Sequence, residues 1–254
     1  MHRPDNHFKR ALHAGRQQLG LWCSIPSPIT AEAVGASGFD WLLIDAEHAP
    51  NDVPSILALL QATSRGTAHP VVRVPWNDPV MIKRVLDLGA DTILVPMVQN
   101  AEEARAAVAA TRYPPNGVRG FASNVRATAF GRMGDYFTRH EQEMCVLVQV
   151  ETMEALEQVE EIAAVEGVDG VFIGPGDLSA SMGYLNQTSH PKVVAEIESA
   201  MLRILSAGNR PGILTSTPDL ARRYMAAGAV FTAVGIDVML LVRAADELVR
   251  SYRE

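Results

Sequence analysis

The sequence predicts an α/β fold, a closed (β/α)8 barrel over residues 1–254. Three observations carry that expectation. Eight short apolar runs recur along the chain, each followed by a polar loop and then a longer segment with helical periodicity. The runs are rich in Val, Ile and Leu without polar alternation, as parallel strands covered on both faces require. About 250 residues is also the usual length of one such barrel.

The strand-like runs are 19–25, 41–45, 70–74, 92–96, 145–151, 169–173, 212–215 and 230–234. Helical segments between and after them include 54–64, 79–88, 101–111, 152–164, 191–207, 218–227 and 237–252. Helix starts are marked where a polar residue stands beside proline: Asn77-Asp78-Pro79, Ser189-His190-Pro191 and Thr217-Pro218. Helix stops are marked by Gly89, Gly208 and Gly228. A doubly wound open sheet would carry a Gly-x-Gly-x-x-Gly turn after its first strand. Here that strand ends in Cys23-Ser24-Ile25-Pro26, so the closed barrel is preferred. The longest interruption, 113–135, has the length of a functional loop. No linker divides the chain, so one domain is expected.

Composition excludes several classes. Lys and Arg number 22 against 29 Asp and Glu, a formal charge of -7, and no basic stripe exists to neutralise a phosphate backbone. No nucleic-acid partner is expected. The first 18 residues lack the apolar core of a secretory signal, and no run reaches the length of a membrane span. Cys23 and Cys145 lie in apolar runs and read as buried free thiols of a reducing compartment, so a cytoplasmic protein without membrane attachment is expected. The chain has three lysines, Lys9, Lys83 and Lys192, none on a strand-like run. A Schiff-base mechanism, which needs a lysine projecting into the barrel, is therefore disfavoured.

In a barrel, reactive groups gather at the C-terminal ends of strands. That filter selects Asp45, Glu47 and His48 after the second run, Arg73 on the third, Gln149 and Glu151 on the fifth, and 174–179 after the sixth. Glu151 and Asp177 are candidate ligands for a hard divalent cation, since two carboxylates without a Cys or His cluster suit oxygen-preferring metals. Asp45, three residues before His48, is expected to orient the imidazole and raise its basicity. Arg73 is permanently charged and suits a developing enolate or alkoxide. The segment 174–179 (GPGDLS) reads as a tight turn whose Gly176 and Asp177 N–H groups face an anion, Pro175 having none.

Several segments then resemble the HpcH/HpaI aldolase family: 39–50 (FDWLLIDAEHAP), 70–73 (PVVR), 94–98 (LVPMV), 112–115 (RYPP), 149–152 (QVET) and 165–175 (VEGVDGVFIGP). The resemblance runs nearly end to end. It implies a phosphoenolpyruvate/pyruvate-type barrel and a class II aldolase that reversibly cleaves 4-hydroxy-2-oxo acids to pyruvate, or a close analogue such as hydroxypyruvate, and an aldehyde. It implies Mg2+, Mn2+ or Co2+ held by Glu151 and Asp177, and Arg73 on the keto oxygen. His48 with Asp45 would act on the C4 hydroxyl. Gln149 and the Gly176 and Asp177 amides would line the pyruvate pocket. Departures cluster at Gly176, where the family has Ala, at 120–132, at Val74-Pro75 and at 214–217. These positions are expected to face the aldehyde, with Arg126 a candidate for a distal carboxylate. Family relatives form hexamers with an exchanged C-terminal helix. Val238, Leu241, Ala245 and Leu248 form a stripe suited to that exchange or to closing the chain's own barrel. Alternatives are a related lyase (2-keto acid decarboxylase or acyl-CoA ester lyase) and a non-catalytic metal-binding barrel.

Overall fold

The computed structural model describes residues 1–2 and 4–253. The chain begins with α1 (His7–His13), then alternates: β1 (Gln18–Cys23), α2 (Pro28–Gly35), β2 (Trp41–Asp45), α3 (Val53–Thr63), β3 (His69–Arg73) and α4 (Pro79–Asp87). β4 (Thr92–Val95), α5 (Ala101–Thr111) and α6 (Tyr136–Glu143) follow, then β5 (Cys145–Val150), α7 (Met153–Glu157) and α8 (Val159–Ala163). β6 (Gly170–Ile173), α9 (Pro175–Ser181), α10 (Pro191–Ser206), β7 (Pro211–Leu214), α11 (Pro218–Ala226), β8 (Phe231–Ile236) and α12 (Asp237–Arg250) complete it. The strands form a closed barrel in chain order, with β8 pairing back to β1, all parallel. The (β/α)8 expectation is met.

Local chemistry explains the element ends. Asp52, Asp78 and Asn100 cap α3, α4 and α5 by accepting N–H bonds from Ser55, Met81 and Glu103. Before α10 the capping side chain is His190, accepting from Lys192 N, rather than Ser189. Thr217 precedes α11 without a side-chain cap bond. Gly89, Gly208 and Gly228 lie just past helix ends with φ of 97°, 84° and 110°. The expected helix 152–164 is instead two short helices broken at Gln158, whose φ and ψ of -107° and 13° leave the helical region.

Two apolar layers hold the barrel. Between strands and outer helices lies the larger one, which includes Ile44, Ile56, Val72, Ile93, Val148, Val171 and Ile197. Inside the barrel Trp22, Trp41, Leu43, Leu147, Phe172 and Phe231 pack together, closed at the N-terminal end by Phe8 and Leu12 of α1. That helix lies in the polar N-terminal stretch, where no element is expected from sequence, because its apolar residues are few. Gly20 makes this interior possible: a Cβ there would sit 2.1 Å from the Trp41 ring. These interior aromatics fill the barrel up to Trp22 and Phe172, which form part of the wall of a cavity at its C-terminal mouth.

The C-terminal helix behaves differently. On α12 Val238, Leu240, Leu241, Val242, Leu248 and Val249 are all exposed, from 38% to 62%. Of the two roles open to its stripe, closing the chain's own barrel is not observed.

Both cysteines are free and buried. Burial, with Asp237 close by, pushes the Cys23 thiol up to about 12, so it is inert at neutral pH. No helix among the described residues is long and apolar enough to cross a membrane.

Candidate active site

At the C-terminal mouth lies a cavity of about 260 Å3. Trp22, Asp45, His48, Arg73, Gln149, Glu151, Gly176 and Asp177 line it, with Phe172, Leu214 and Ile236 as apolar wall. Asp45, His48, Arg73, Gln149, Glu151, Gly176 and Asp177, the residues given catalytic, metal or pyruvate-pocket roles from sequence, are thus gathered in one cavity. No lysine lines it. Lys9 is at the opposite end, donating to Met144 O at 2.6 Å and pairing with Asp169 at 3.2 Å.

Arg73 and Asp45 occupy paired register positions on adjacent strands, so their side chains meet. Arg73 donates from Nε to Asp45 Oδ1 at 2.9 Å and from Nη2 to Asp45 Oδ2 at 2.8 Å, a bidentate fork. Both groups are buried. The Trp22 ring lies under the guanidinium, 4.9 Å from Cζ to the ring centre, and its Nε1 donates to Asp45 Oδ2 at 3.2 Å. Burial pushes the Asp45 carboxyl up, but the Arg73 hydrogen bonds and charge outweigh it and hold the group below its ordinary range.

Asp45 does not orient the His48 ring as expected. Its Oδ1 accepts the backbone N–H groups of Glu47 and His48, at 3.0 and 3.3 Å. A short carboxylate at the strand end reaches the amides of the turn that follows it, whereas the ring three residues on turns outward. The His48 side chain is 64% exposed, and its Nε2 lies 3.9 Å from Glu47 Oε1.

Glu151 follows the last residue of β5 and is buried. Its Oε1 accepts the Met97 N–H at 2.8 Å, and its Oε2 accepts from Gln149 Nε2 at 2.6 Å. Gly174 packs so closely that a Cβ would lie 2.5 Å from Glu151 Oε2. Burial pushes the Glu151 carboxyl up to about 7 against the two hydrogen bonds, with the charges of Glu47 and Asp177 adding to the rise. Glu47 is likewise raised, chiefly by burial and despite Arg73. The buried Gln149 Oε1 has no hydrogen-bond donor among the described residues.

The segment after β6 is a short helix, α9, rather than a tight turn: Gly174 is its N-cap and Pro175 its first residue. Proline's fixed φ favours that helical start. Gly176 and Asp177 fall in its first turn, where N–H groups have no intrahelical acceptor.

The stretch 120–132 does not face the cavity of this chain. Arg126 donates to Leu88 O at 2.5 Å and lies with Gly89, Ala90 and Asp91, just before β4, at the N-terminal end of the barrel. A distal-carboxylate role for Arg126 within its own subunit is therefore ruled out by position. Leu214, by contrast, does line the cavity. Sequence reasoning missed Trp22 and gave Glu47 no role. A tryptophan at the C-terminal end of β1 was the available signal for the first.

Among the described residues no three His, Cys, Asp or Glu side chains form a ready metal cage. Glu151 and Asp177 with the unpaired Gln149 oxygen nonetheless make an oxygen-only set with excess negative charge, which fits a hard divalent cation that keeps water or substrate as further ligands.

The model for the HpcH/HpaI aldolase/citrate lyase family matches residues 18–244. This chain belongs to that family. It is a carbon–carbon lyase acting on small molecules. A 4-hydroxy-2-oxo-heptane-1,7-dioate aldolase of Shigella flexneri is 55% identical over 249 residues, covering 98% of this chain and 93% of the relative. Another of that name from Klebsiella pneumoniae is also 55% identical, covering 98% and 94%. Among solved structures, an HpcH/HpaI aldolase/citrate lyase family protein from Burkholderia cenocepacia superposes with a TM-score of 0.95 at 39% identity, covering 98% and 100%.

Proposed function

We propose that this member of the family is a divalent-metal-dependent class II aldolase that reversibly cleaves 4-hydroxy-2-oxo acids to pyruvate and an aldehyde. The observation that carries this reading is the pairing, in one cavity, of a buried guanidinium with carboxylates that are short of positive charge. Arg73 is matched by Asp45, while Glu151 is raised by burial and by Glu47 and Asp177. A cation is what such a set lacks. The names of the 55% identical relatives support the same substrate class.

Glu151 and Asp177 would hold Mg2+, Mn2+ or Co2+, which supplies a Lewis acid to a 2-oxo acid's carbonyl. Arg73, fixed by its fork to Asp45, offers its remaining N–H donors to the oxygen that gains charge as the C3–C4 bond breaks. His48 takes the C4 hydroxyl proton in cleavage and returns it in addition. Gln149 offers its free Oε1, and the Gly176 and Asp177 N–H groups face the substrate carboxylate. Phe172, Leu214 and Ile236 keep the reacting carbons out of bulk water. The exposed apolar face of α12 is covered by a second copy of the chain in a homo-oligomer, a hexamer by family resemblance. The free, buried thiols suit a reducing cytoplasm.

The test is pyruvate release from 4-hydroxy-2-oxo acids by chelator-treated protein, before and after adding each cation. Release restored by metal is expected. A folded, metal-loaded protein inactive on every chain length would overturn the reading.

A further inference from the structure

At the mouth of the barrel β8 runs one residue out of step with β1. Gly20 pairs with Ala233 but Trp22 pairs with Ile236, so β8 carries an extra residue between them. Such a bulge re-aims the side chains beyond it. Phe231 and Ala233 face the barrel interior before the bulge, and Ile236 faces it afterwards. Asp237 is thereby delivered to the end of β1, where it is buried. Its Oδ1 accepts the Ser24 N–H at 2.9 Å and the Val238 N–H at 2.7 Å. Its Oδ2 accepts the Ile25 N–H at 3.1 Å. An ionised acceptor holds such donors more firmly than a neutral one would, so the chain leaving β1 is clamped. Along β1, Gly20 and Trp22 face inward while Leu21 and Cys23 pack outside, and the alternation turns Ser24 inward. Ser24 lines the cavity, and its hydroxyl makes no hydrogen bond among the described residues. The other side chains that β7, β8 and β1 give the cavity are Leu214, Ile236 and Trp22, whose Nε1 is committed to Asp45. Ser24 Oγ is thus the uncommitted polar group on an otherwise apolar side of the mouth.

We propose that Ser24, aimed by Asp237, is a specificity-determining contact for the aldehyde half of the substrate, selecting aldehydes with a hydroxyl on the carbon beside the carbonyl. The inference rests on the aldolase reading. In a barrel closed in chain order, β1 stands opposite β5, whose end carries Glu151. With the 2-oxo acid end at Glu151 and Asp177 and the C4 hydroxyl at His48, the carbons beyond C4 meet the wall of Leu214, Ile236 and Ser24. A hydroxyl on C5 exchanges a hydrogen bond with Ser24 Oγ. A methyl group in its place covers that oxygen and leaves it unpaired. Asp237 touches no substrate. It is a positioning residue, holding the Ser24 backbone so that the hydroxyl keeps one place in the cavity.

The test compares two aldehydes of nearly equal size, glycolaldehyde and propanal, as partners of pyruvate with the Mn2+-loaded full-length protein. Ser24→Ala is expected to lower the kcat/KM ratio of glycolaldehyde to propanal about twofold to tenfold, the worth of one neutral hydrogen bond. The KM for pyruvate is expected to hold, since the 2-oxo acid end lies across the barrel. Ser24→Thr keeps the hydroxyl and is expected to restore the ratio. Asp237→Asn is expected to speed hydrogen exchange at the Ser24 and Ile25 amides about tenfold or more, and to lower the ratio as Ser24→Ala does. An unchanged ratio in Ser24→Ala overturns the proposal, as does a loss that falls equally on both aldehydes. Faster amide exchange in Asp237→Asn with a wild-type ratio overturns the positioning role. Should Asp237→Asn fail to fold, the two Ser24 variants decide the contact, because the clamp holds backbone groups that they retain. A wild-type protein that joins pyruvate to neither aldehyde overturns the aldolase reading as well, whereas an active one with an unchanged Ser24→Ala ratio overturns this inference alone.

Discussion

Met97 donates its backbone N–H to Glu151 Oε1 at 2.8 Å from a left-handed conformation, φ 54°. A non-glycine residue with that φ costs about 1–3 kcal/mol unless its surroundings hold it there. Here the next residue anchors it, Val98 N–H donating to Gln149 O at 3.0 Å. The turn after β4 is thus strained into place to fix a carboxylate at the end of β5. Met97→Gly should retain the donor, relieve the strain and leave metal affinity near wild type. Met97→Val should lose about 1–3 kcal/mol in urea unfolding, because a branched side chain tolerates positive φ least. Met97→Pro removes the N–H and should weaken Mn2+ binding as well. Equal metal affinity in all three would show that the Met97 bond does not position Glu151.

Gly174 makes the second demand on Glu151. A methyl group there would lie 2.5 Å from Oε2 and 2.9 Å from Cβ of Glu151, so the carboxylate must move. Gly174→Ala should reduce Mn2+ affinity about 10–100-fold, the range seen when a ligand's support is lost. Circular dichroism should be unchanged. Calorimetric titration of both proteins is the check.

Glu151 also sets a pH dependence of stability. Its carboxyl stands at about 7 in the folded metal-free chain against an ordinary 4.5, so the native state holds the proton more tightly than the unfolded one. That contribution is complete below pH 4.5 and is lost as pH rises through 7. The loss is about 2–3 kcal/mol. Asp45 works in the opposite sense: it is held below its ordinary 3.8, so its contribution is already complete by pH 5 and does not mask the effect. Urea unfolding with EDTA should show lower stability at pH 8 than at pH 5. Saturating Mn2+ should abolish or reverse the fall. Constant stability with EDTA across this range would refute the strained burial of Glu151.

The α12 face offers a test of assembly. Leu241 and Leu248 are 62% and 61% exposed on the isolated chain. Replacing both with Arg should shift the mass measured by light scattering toward that of one chain, with barrel secondary structure retained. An unchanged oligomer mass would mean that this face is not the interface.

Much of the barrel was legible in sequence because parallel strands covered on both faces need unbroken apolar runs. The eight runs lie within a few residues of the observed strands. Glu151, Arg73 and Asp177 were legible for a related reason: a charged residue at the end of such a run, or in the segment just after it, stands at the mouth. The first helix was hidden in a polar segment, since α1 buries only Phe8, Ala11 and Leu12. The break at Gln158 was hidden by helical periodicity on either side of it.

By itself, the sequence determined the alternation, the closure into a barrel and which side chains reach its rim, because periodicity and strand ends are local properties of the chain. The tertiary structure decided who touches whom. It gave both Asp45 oxygens to Arg73, Trp22 and backbone amides, and set Glu47 against the far side of the Arg73 guanidinium. It carried Arg126 to the far end of the barrel and held Met97 at positive φ for Glu151. Such choices depend on competition among donors brought together from distant strands, and on space left by glycines such as Gly174. Neither is written in the spacing of residues along one strand.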